Sequence, residues 1–130
     1  MTVTGMNHFT ILARDLDETR AFYSDVVGLT EGWRPDLGFP GIWFYVGPQW
    51  VLHVVGGRGV PEPPAGVIDH MAFSATGFAD TIRRLDAHGV KHRVVRQVKT
   101  KVWQIFFNDP NGAKVELDFA PEEAGSPGVG

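Results

Sequence analysis

The sequence predicts an α+β fold in which one unit, a strand, a helix and about three further strands, is used twice. Three observations carry this. The two halves of the chain can be laid over each other in order, and their apolar residues change from strand to helix spacing at matching places. A stretch rich in glycine and proline separates them. The length of 130 residues suits a single domain. Module one covers about 6–56, a linker about 57–66, module two about 67–120 and a flexible tail 121–130.

His8-Phe9-Thr10-Ile11-Leu12 opens the first unit and His70-Met71-Ala72-Phe73-Ser74 the second, each a short run of strand type. The first helix starts near Asp15, with Asp15 and Glu18 spaced as an N-cap and its N3 partner. It buries Leu16, Phe22, Tyr23, Val26 and Val27. The second places Phe78, Ile82 and Leu85 on one face and stops at Gly89. Ile42 to Val46 then resembles Val102 to Phe107, each rich in aromatic and β-branched residues. Both runs end in a proline-containing turn, Gly47-Pro48-Gln49 or Asn108-Asp109-Pro110-Asn111-Gly112. Closing strands come next, Trp50 to Val55 and Ala113 to Phe119. Neither half of about 60 residues buries enough surface alone, so the two sheets are expected to pack or pair.

Composition excludes several function classes. There is no cysteine, hence no disulfide framework, thiolate metal site or cysteine nucleophile. Twelve basic and fifteen acidic residues give a net charge of -3, which argues against nucleic acid as a partner. No apolar run reaches the roughly 20 residues of a membrane span. A cytoplasmic protein with a small-molecule substrate and no membrane partner is the expectation.

Superposing the halves sets His8 against His70 and His53 against Glu116. Polar groups at repeat-equivalent strand positions converge if two sheets curve around a cleft. Two imidazoles and a carboxylate, with positions left open, suit Fe(II), Mn(II), Ni(II) or Zn(II). A buried Glu116 between Val115 and Leu117 is costly without a cation or donor. Against this, an isolated strand histidine is more often structural, and Glu116 turned outward would leave Val115 and Leu117 to fill the core. Trp43, Tyr45, Trp50, Trp103, Phe106 and Phe107 form a large aromatic supply; most belong to the core, but those beside the cleft favour an aromatic or apolar substrate. Arg58, Arg93 and Arg96 are candidate partners for a substrate carboxylate, and His88 and His92, flanking a helix end, read as structural. Lys91 to Lys101 reads as a charge-guarded edge strand.

Asn7-His8-Phe9, Leu16-Asp17 through Phe22-Tyr23, Gly28-Leu29, Asp69-His70 and Asp109-Pro110-Asn111-Gly112 followed by Glu116 carry a resemblance to the vicinal oxygen chelate superfamily. That superfamily includes glyoxalase I, extradiol dioxygenases, fosfomycin-resistance enzymes and bleomycin-binding proteins. The resemblance spans residues 6 to 119. It implies paired βαβββ modules forming a U-shaped mixed sheet around one divalent metal, held by His8, His70 and Glu116. It further implies a homodimer, with sites within a chain or shared across two. The ion chelates neighbouring substrate oxygens.

The position of His53 separates the subclasses. Glyoxalase I has a Glu there, whereas ring-cleaving dioxygenases place an acid-base histidine at the matching position, so His53 is a candidate proton shuttle or fourth ligand. That points towards an extradiol-dioxygenase-like oxygenase using Fe2+, with Mn2+, Ni2+ or Zn2+ as other candidates. The chain departs from the catechol-cleaving pattern at Phe106, where a tyrosine is expected, and around Val98 to Thr100, where a histidine is. A glyoxalase-like lyase or isomerase and a non-catalytic small-molecule (drug) binding protein are the alternatives.

Overall fold

Asp15 starts the first helix because its side chain accepts the amide hydrogen of Glu18 at 3.0 Å, satisfying one of the donors that a helix N-terminus leaves open. The structure is a computed structural model and describes residues 1–123. The chain divides into two units, Met1–Ala65 and Gly66–Gly130.

In the first unit, β1 (Phe9–Leu12) leads to α1 (Leu16–Ala21), which widens into a π-helical segment over Phe22–Val27. Gly28, at φ 89°, ends it in a left-handed conformation that other residues adopt only under strain. Three strands complete the unit, β2 (Thr30–Gly32), β3 (Gly41–Val46) and β4 (Gln49–Val55), and the sheet order is β1-β4-β3-β2. β1 lies parallel to β4, and the other pairs are antiparallel. Ile42, Phe44, Leu52 and Val54 alternate onto one face and are buried together with Tyr23 and Val26 of the helical segment. Trp43, Tyr45 and His53 take the opposite face.

The second unit repeats the pattern. β5 (Met71–Ser74), α2 (Phe78–Ala87), β6 (His92–Arg96), β7 (Trp103–Asn108) and β8 (Lys114–Phe119) give the order β5-β8-β7-β6, with β5 parallel to β8. Its core joins Phe78 and Leu85 to Trp103, Ile105, Phe107, Val115, Leu117 and Phe119. Each fully buried large side chain contributes roughly 1.5–3 kcal/mol. Thr81 rather than Ile82 takes the buried position on α2; its hydroxyl donates to the Gly77 carbonyl at 2.9 Å.

Register fixes the repeat to the residue. Thr10 pairs with His53 and Ala72 with Glu116, so His8 and His70 each stand two residues before the partner of the closing-strand group. Trp43 pairs with His53 and Phe106 with Glu116, which makes Phe106, not Trp103, the counterpart of Trp43. The resemblance of Ile42–Val46 to Val102–Phe107 is therefore offset from the structural repeat.

The flexible tail expected from Pro121 is corrected over its first three residues. Pro121–Glu123 form a short 3-10 turn, and Glu123 accepts the Phe78 amide hydrogen at 2.7 Å. This substitutes for the capping side chain that Gly77 lacks. The remainder of the expected tail lies outside the described residues.

Candidate metal and substrate site

The side chain of Asn7 gathers the first strand end. Its Oδ1 lies 2.6 Å from His8 Nδ1 and 3.0 Å from Trp50 Nε1, and its carbonyl accepts from the Gln49 amide. An indole N–H can only donate, so the Asn7 atom facing both rings is the acceptor oxygen and His8 Nδ1 carries the proton. The other ring nitrogen, Nε2, is thereby left as a lone pair. Asp69 does the same for His70, accepting from Nδ1 at 2.8 Å while Lys114 donates to the same oxygen at 3.2 Å. These contacts draw the Asp69 carboxyl below its usual range, the hydrogen bond from His70 first and that from Lys114 second.

With Nδ1–H donating to Asp69, His70 in its neutral form turns a lone pair towards Glu116, whose Oε1 lies 3.0 Å from Nε2. Two acceptors at that separation require a proton or a cation between them. Two donors held at right angles to one ion at about 2.1 Å are themselves about 3.0 Å apart, so the spacing suits neighbouring ligands. Glu116 is only 6% exposed, with Gln104 Nε2 donating to its other oxygen at 3.1 Å. Burial raises its pKa, and a hydrogen bond with Asp118 raises it further, while the nearby His70 opposes the shift. Crowded, desolvated acceptors of this kind are suited to a divalent cation.

His53 is set between two rings. The His8 imidazole stacks on it at 3.6 Å between centroids and Trp43 at 3.9 Å. Its Nε2 is buried and has no hydrogen-bond partner among the described residues. Burial first, then the electrostatic influence of the neighbouring His8 ring and of the Arg34 guanidinium, lower its pKa to about 4, so the ring is neutral at pH 7. A neutral, buried, unpartnered imidazole nitrogen can coordinate a metal or accept a proton.

Trp50 reaches this face because of a β-bulge. Phe44 pairs with Leu52 but Tyr45 with Trp50, leaving Val51 as the extra residue. Simple alternation from His53 would have turned Trp50 onto the buried face. Trp43 meets Trp50 at 5.2 Å, and Tyr45 lies edge-on to Trp50 at 6.4 Å. The Tyr45 hydroxyl is committed to the Trp33 carbonyl at 2.6 Å, across Gly32, where any side chain would strike the Tyr45 ring. Trp33, 68% exposed, stands edge-on to Trp43 at 6.1 Å; no repeat or spacing in the sequence marks it for this place.

Phe106 lies on the Glu116 face, edge-on to His70 at 6.1 Å. Trp103, expected beside the substrate, is on the other face, packed against Phe78 at 5.4 Å. Strand alternation alone puts it there, two pairs from Ile105 in the core. Of the candidate arginines, Arg93 lies over Phe106 at 5.0 Å, Arg96 over Trp103 at 4.6 Å and Arg58 over Phe39 at 5.4 Å. His88 and His92 direct Nδ1 at the Arg84 and Val90 carbonyls, as structural histidines do.

The Asp109-Pro110-Asn111-Gly112 turn supports Glu116 indirectly. The buried Asp109 carboxylate accepts from the amides of Asn111 and Ala113 at 2.8 and 2.7 Å, closing the β7–β8 hairpin that carries Glu116. No group of three or more histidine and acidic side chains is close enough together to hold an ion among the described residues. The candidates occur as two pairs, His8 with His53 and His70 with Glu116. Each pair has donor chemistry suited to a divalent metal.

A model of the Glyoxalase/Bleomycin resistance protein/Dioxygenase superfamily matches residues 5–117. The chain belongs to this superfamily. The chain is 30% identical to the uncharacterized protein YaeR of Escherichia coli, over 86% of this chain and 93% of YaeR. It is 29% identical to Glyoxylase I 4 of Arabidopsis thaliana, covering 88% and 70% of the two chains. Glutathione transferase FosA of Serratia marcescens is 30% identical, with 87% and 79% covered. Among solved structures, a FosX mutant from Listeria monocytogenes, complexed with Mn(II) and 1S,2S-dihydroxypropylphosphonic acid, shares the superfamily fold. Its TM-score is 0.74 at 20% identity, covering 92% of this chain and 94% of that one. No helix among the described residues is long and apolar enough to cross a membrane.

Proposed function

We propose that the protein is a metal-dependent enzyme acting on a small, aromatic or apolar substrate with two neighbouring oxygens. His8, His70 and Glu116 are the proposed ligands of one divalent ion, and His53 is an acid-base group or fourth ligand. The observation that carries this reading is His70 Nε2 facing Glu116 at 3.0 Å while Asp69 accepts the hydrogen bond of Nδ1–H. The same orientation of His8 by Asn7 supports it from the other unit.

A bound divalent ion would supply Lewis acidity to the two substrate oxygens. Asn7 and Asp69 keep Nε2 of the two histidines available. Trp43 and Trp50 offer an apolar surface to the body of the substrate, as does Phe106 in the other unit. His53, neutral at pH 7, is able to take a proton from the substrate. That role, together with likeness to a glyoxylase I and a FosA, favours a lyase, isomerase or addition reaction over the ring cleavage that His53 suggested from sequence. Fe2+, Mn2+, Ni2+ and Zn2+ all fit a His/His/carboxylate set. A homodimer completes the proposal.

Elemental analysis of protein purified anaerobically tests the reading, with turnover assayed on α-keto-aldehydes and, by oxygen uptake, on catechols. Glu116→Ala is expected to remove a stoichiometric metal and all activity. His53→Ala is expected to abolish turnover; retention of metal marks an acid-base role and loss of metal a fourth ligand. Full metal content in Glu116→Ala would overturn the assignment.

A further inference from the structure

Arg34, in the segment between β2 and β3, is a half-buried cation without an acidic partner among the described residues. Its Nη2 donates to the Phe39 carbonyl at 2.9 Å, and its Nε is buried with no hydrogen-bond partner. Space for the guanidinium comes from Gly41. A methyl group added there would fall 2.8 Å from Arg34 Nη2.

Gly41 shares a face of β3 with Trp43 and pairs with Val55, one same-face step from the Trp43–His53 pair. That step is about 7 Å along the strand. Register also makes Gly41 the counterpart of Gln104, since the two pair with the equivalent residues Val55 and Asp118. In the second unit the Gln104 amide is used up on Glu116. In the first, a guanidinium takes the equivalent place on the His53 face, where the closing strand offers an imidazole instead of a carboxylate.

Phe39 orients the group. The guanidinium carbons of Arg34 and Arg58 lie 5.1 and 5.4 Å from its ring centroid, a contact that leaves N–H edges pointing sideways. Two cations therefore meet at one ring, and neither forms an ion pair among the described residues. Arg93 is a weaker candidate because it is exposed.

We propose that Arg34 anchors an oxyanion of the substrate, a carboxylate or a phospho group, while the body of the substrate lies against Trp43. This deepens the proposed function, a substrate site at His53, and rests on it. Guanidinium N–H pairs match both oxyanions, bidentate and charge-assisted.

The test is a fluorescence titration of the whole 130-residue chain, in which Trp33 precedes Arg34 and Trp43 lies one same-face step from Gly41. Benzoate, phenylphosphonate and neutral benzamide are the probes, each at low salt, with EDTA-treated and with Mn2+-loaded protein. The wild type is expected to bind at least one anionic probe tenfold or more tighter than benzamide, in both metal states. Preference for benzoate alone assigns a carboxylate, and for phenylphosphonate alone a phospho group. Arg34→Gln is expected to abolish the preference and Arg34→Lys to keep part of it, with far-UV circular dichroism as the check on folding. Arg58→Gln is expected to weaken it less than Arg34→Gln. Equal affinities of folded Arg34→Gln and wild type, or of Arg34→Lys and wild type for all three probes, would overturn the proposal. A failure of the metal reading is separable: the protein would bind no metal and still prefer the anions.

Discussion

Removing the acceptors that orient the two histidines gives the sharpest check on the site. Asp69→Ala takes away the partner of His70 Nδ1 at 2.8 Å, and Asn7→Ala that of His8 Nδ1 at 2.6 Å. Neither residue is a proposed ligand, so each change leaves all the coordinating atoms in place. It frees the ring to rotate or to move its proton to the nitrogen that should bind metal. Partners of this kind are worth about 10–100-fold in metal affinity, or about 1.4–2.7 kcal/mol. The two devices lie in separate units and share no partner, so the double variant should lose about 10²–10⁴-fold. Asp69→Asn keeps an acceptor but gives up the charge, and should lose less than Asp69→Ala. Affinity is read by competition for Mn2+ or Zn2+ against a fluorescent chelator. The tautomer of each ring is read in metal-free protein from its nitrogen chemical shifts. Affinities within twofold of wild type in both alanine variants would refute the reasoning. So would an unprotonated Nδ1 on either ring in the wild type.

Two further outcomes concern stability. His53 holds a pKa of about 4 in the fold against 6.5 in the unfolded chain, so as the pH falls the unfolded chain takes up this proton first. Stability is therefore lost between pH 6.5 and 4; after allowance for screening by solvent this is about 1 kcal/mol at pH 5. Urea unfolding of EDTA-treated protein should show that loss relative to pH 7, and His53→Gln should lose correspondingly less; parallel pH profiles would contradict it. Glu123→Ala should destabilise the start of α2 by about 1 kcal/mol, the typical value of an N-cap contact. Faster amide exchange at Phe78 is the measure, and unchanged exchange there would show that the cap contributes nothing.

The repeat is legible in the sequence because a duplicated unit writes its apolar spacing twice. Asp15, Gly28 and Gly89 announce their helix ends by chemistry local to a few residues. The strand pairings are legible only to within a few positions. Composition likens Trp43 to Trp103, whereas hydrogen-bond register matches Trp43 to Phe106 and sends Trp103 into the core. Trp50 joins the His53 face through a bulge, an event that a single sequence does not mark. Asn7 and Asp69 stand out as part of a motif, but their use as acceptors for the following imidazole depends on donors 43 and 45 residues away. Arg34 escapes a reading of the sequence because its place is set by an absence, the side chain that Gly41 does not have. Glu123 reads as tail since its partner sits 45 residues upstream.

One inserted residue, Val51, separates the two strand ends electrically. It lets an uncharged indole steady Asn7 where the unbulged hairpin offers Asp69 an ammonium. The first imidazole is thus held by dipoles alone and the second by an ion pair open to solvent. Raised ionic strength should loosen the second and leave the first untouched, so a duplicated framework has acquired one salt-indifferent and one salt-responsive arm.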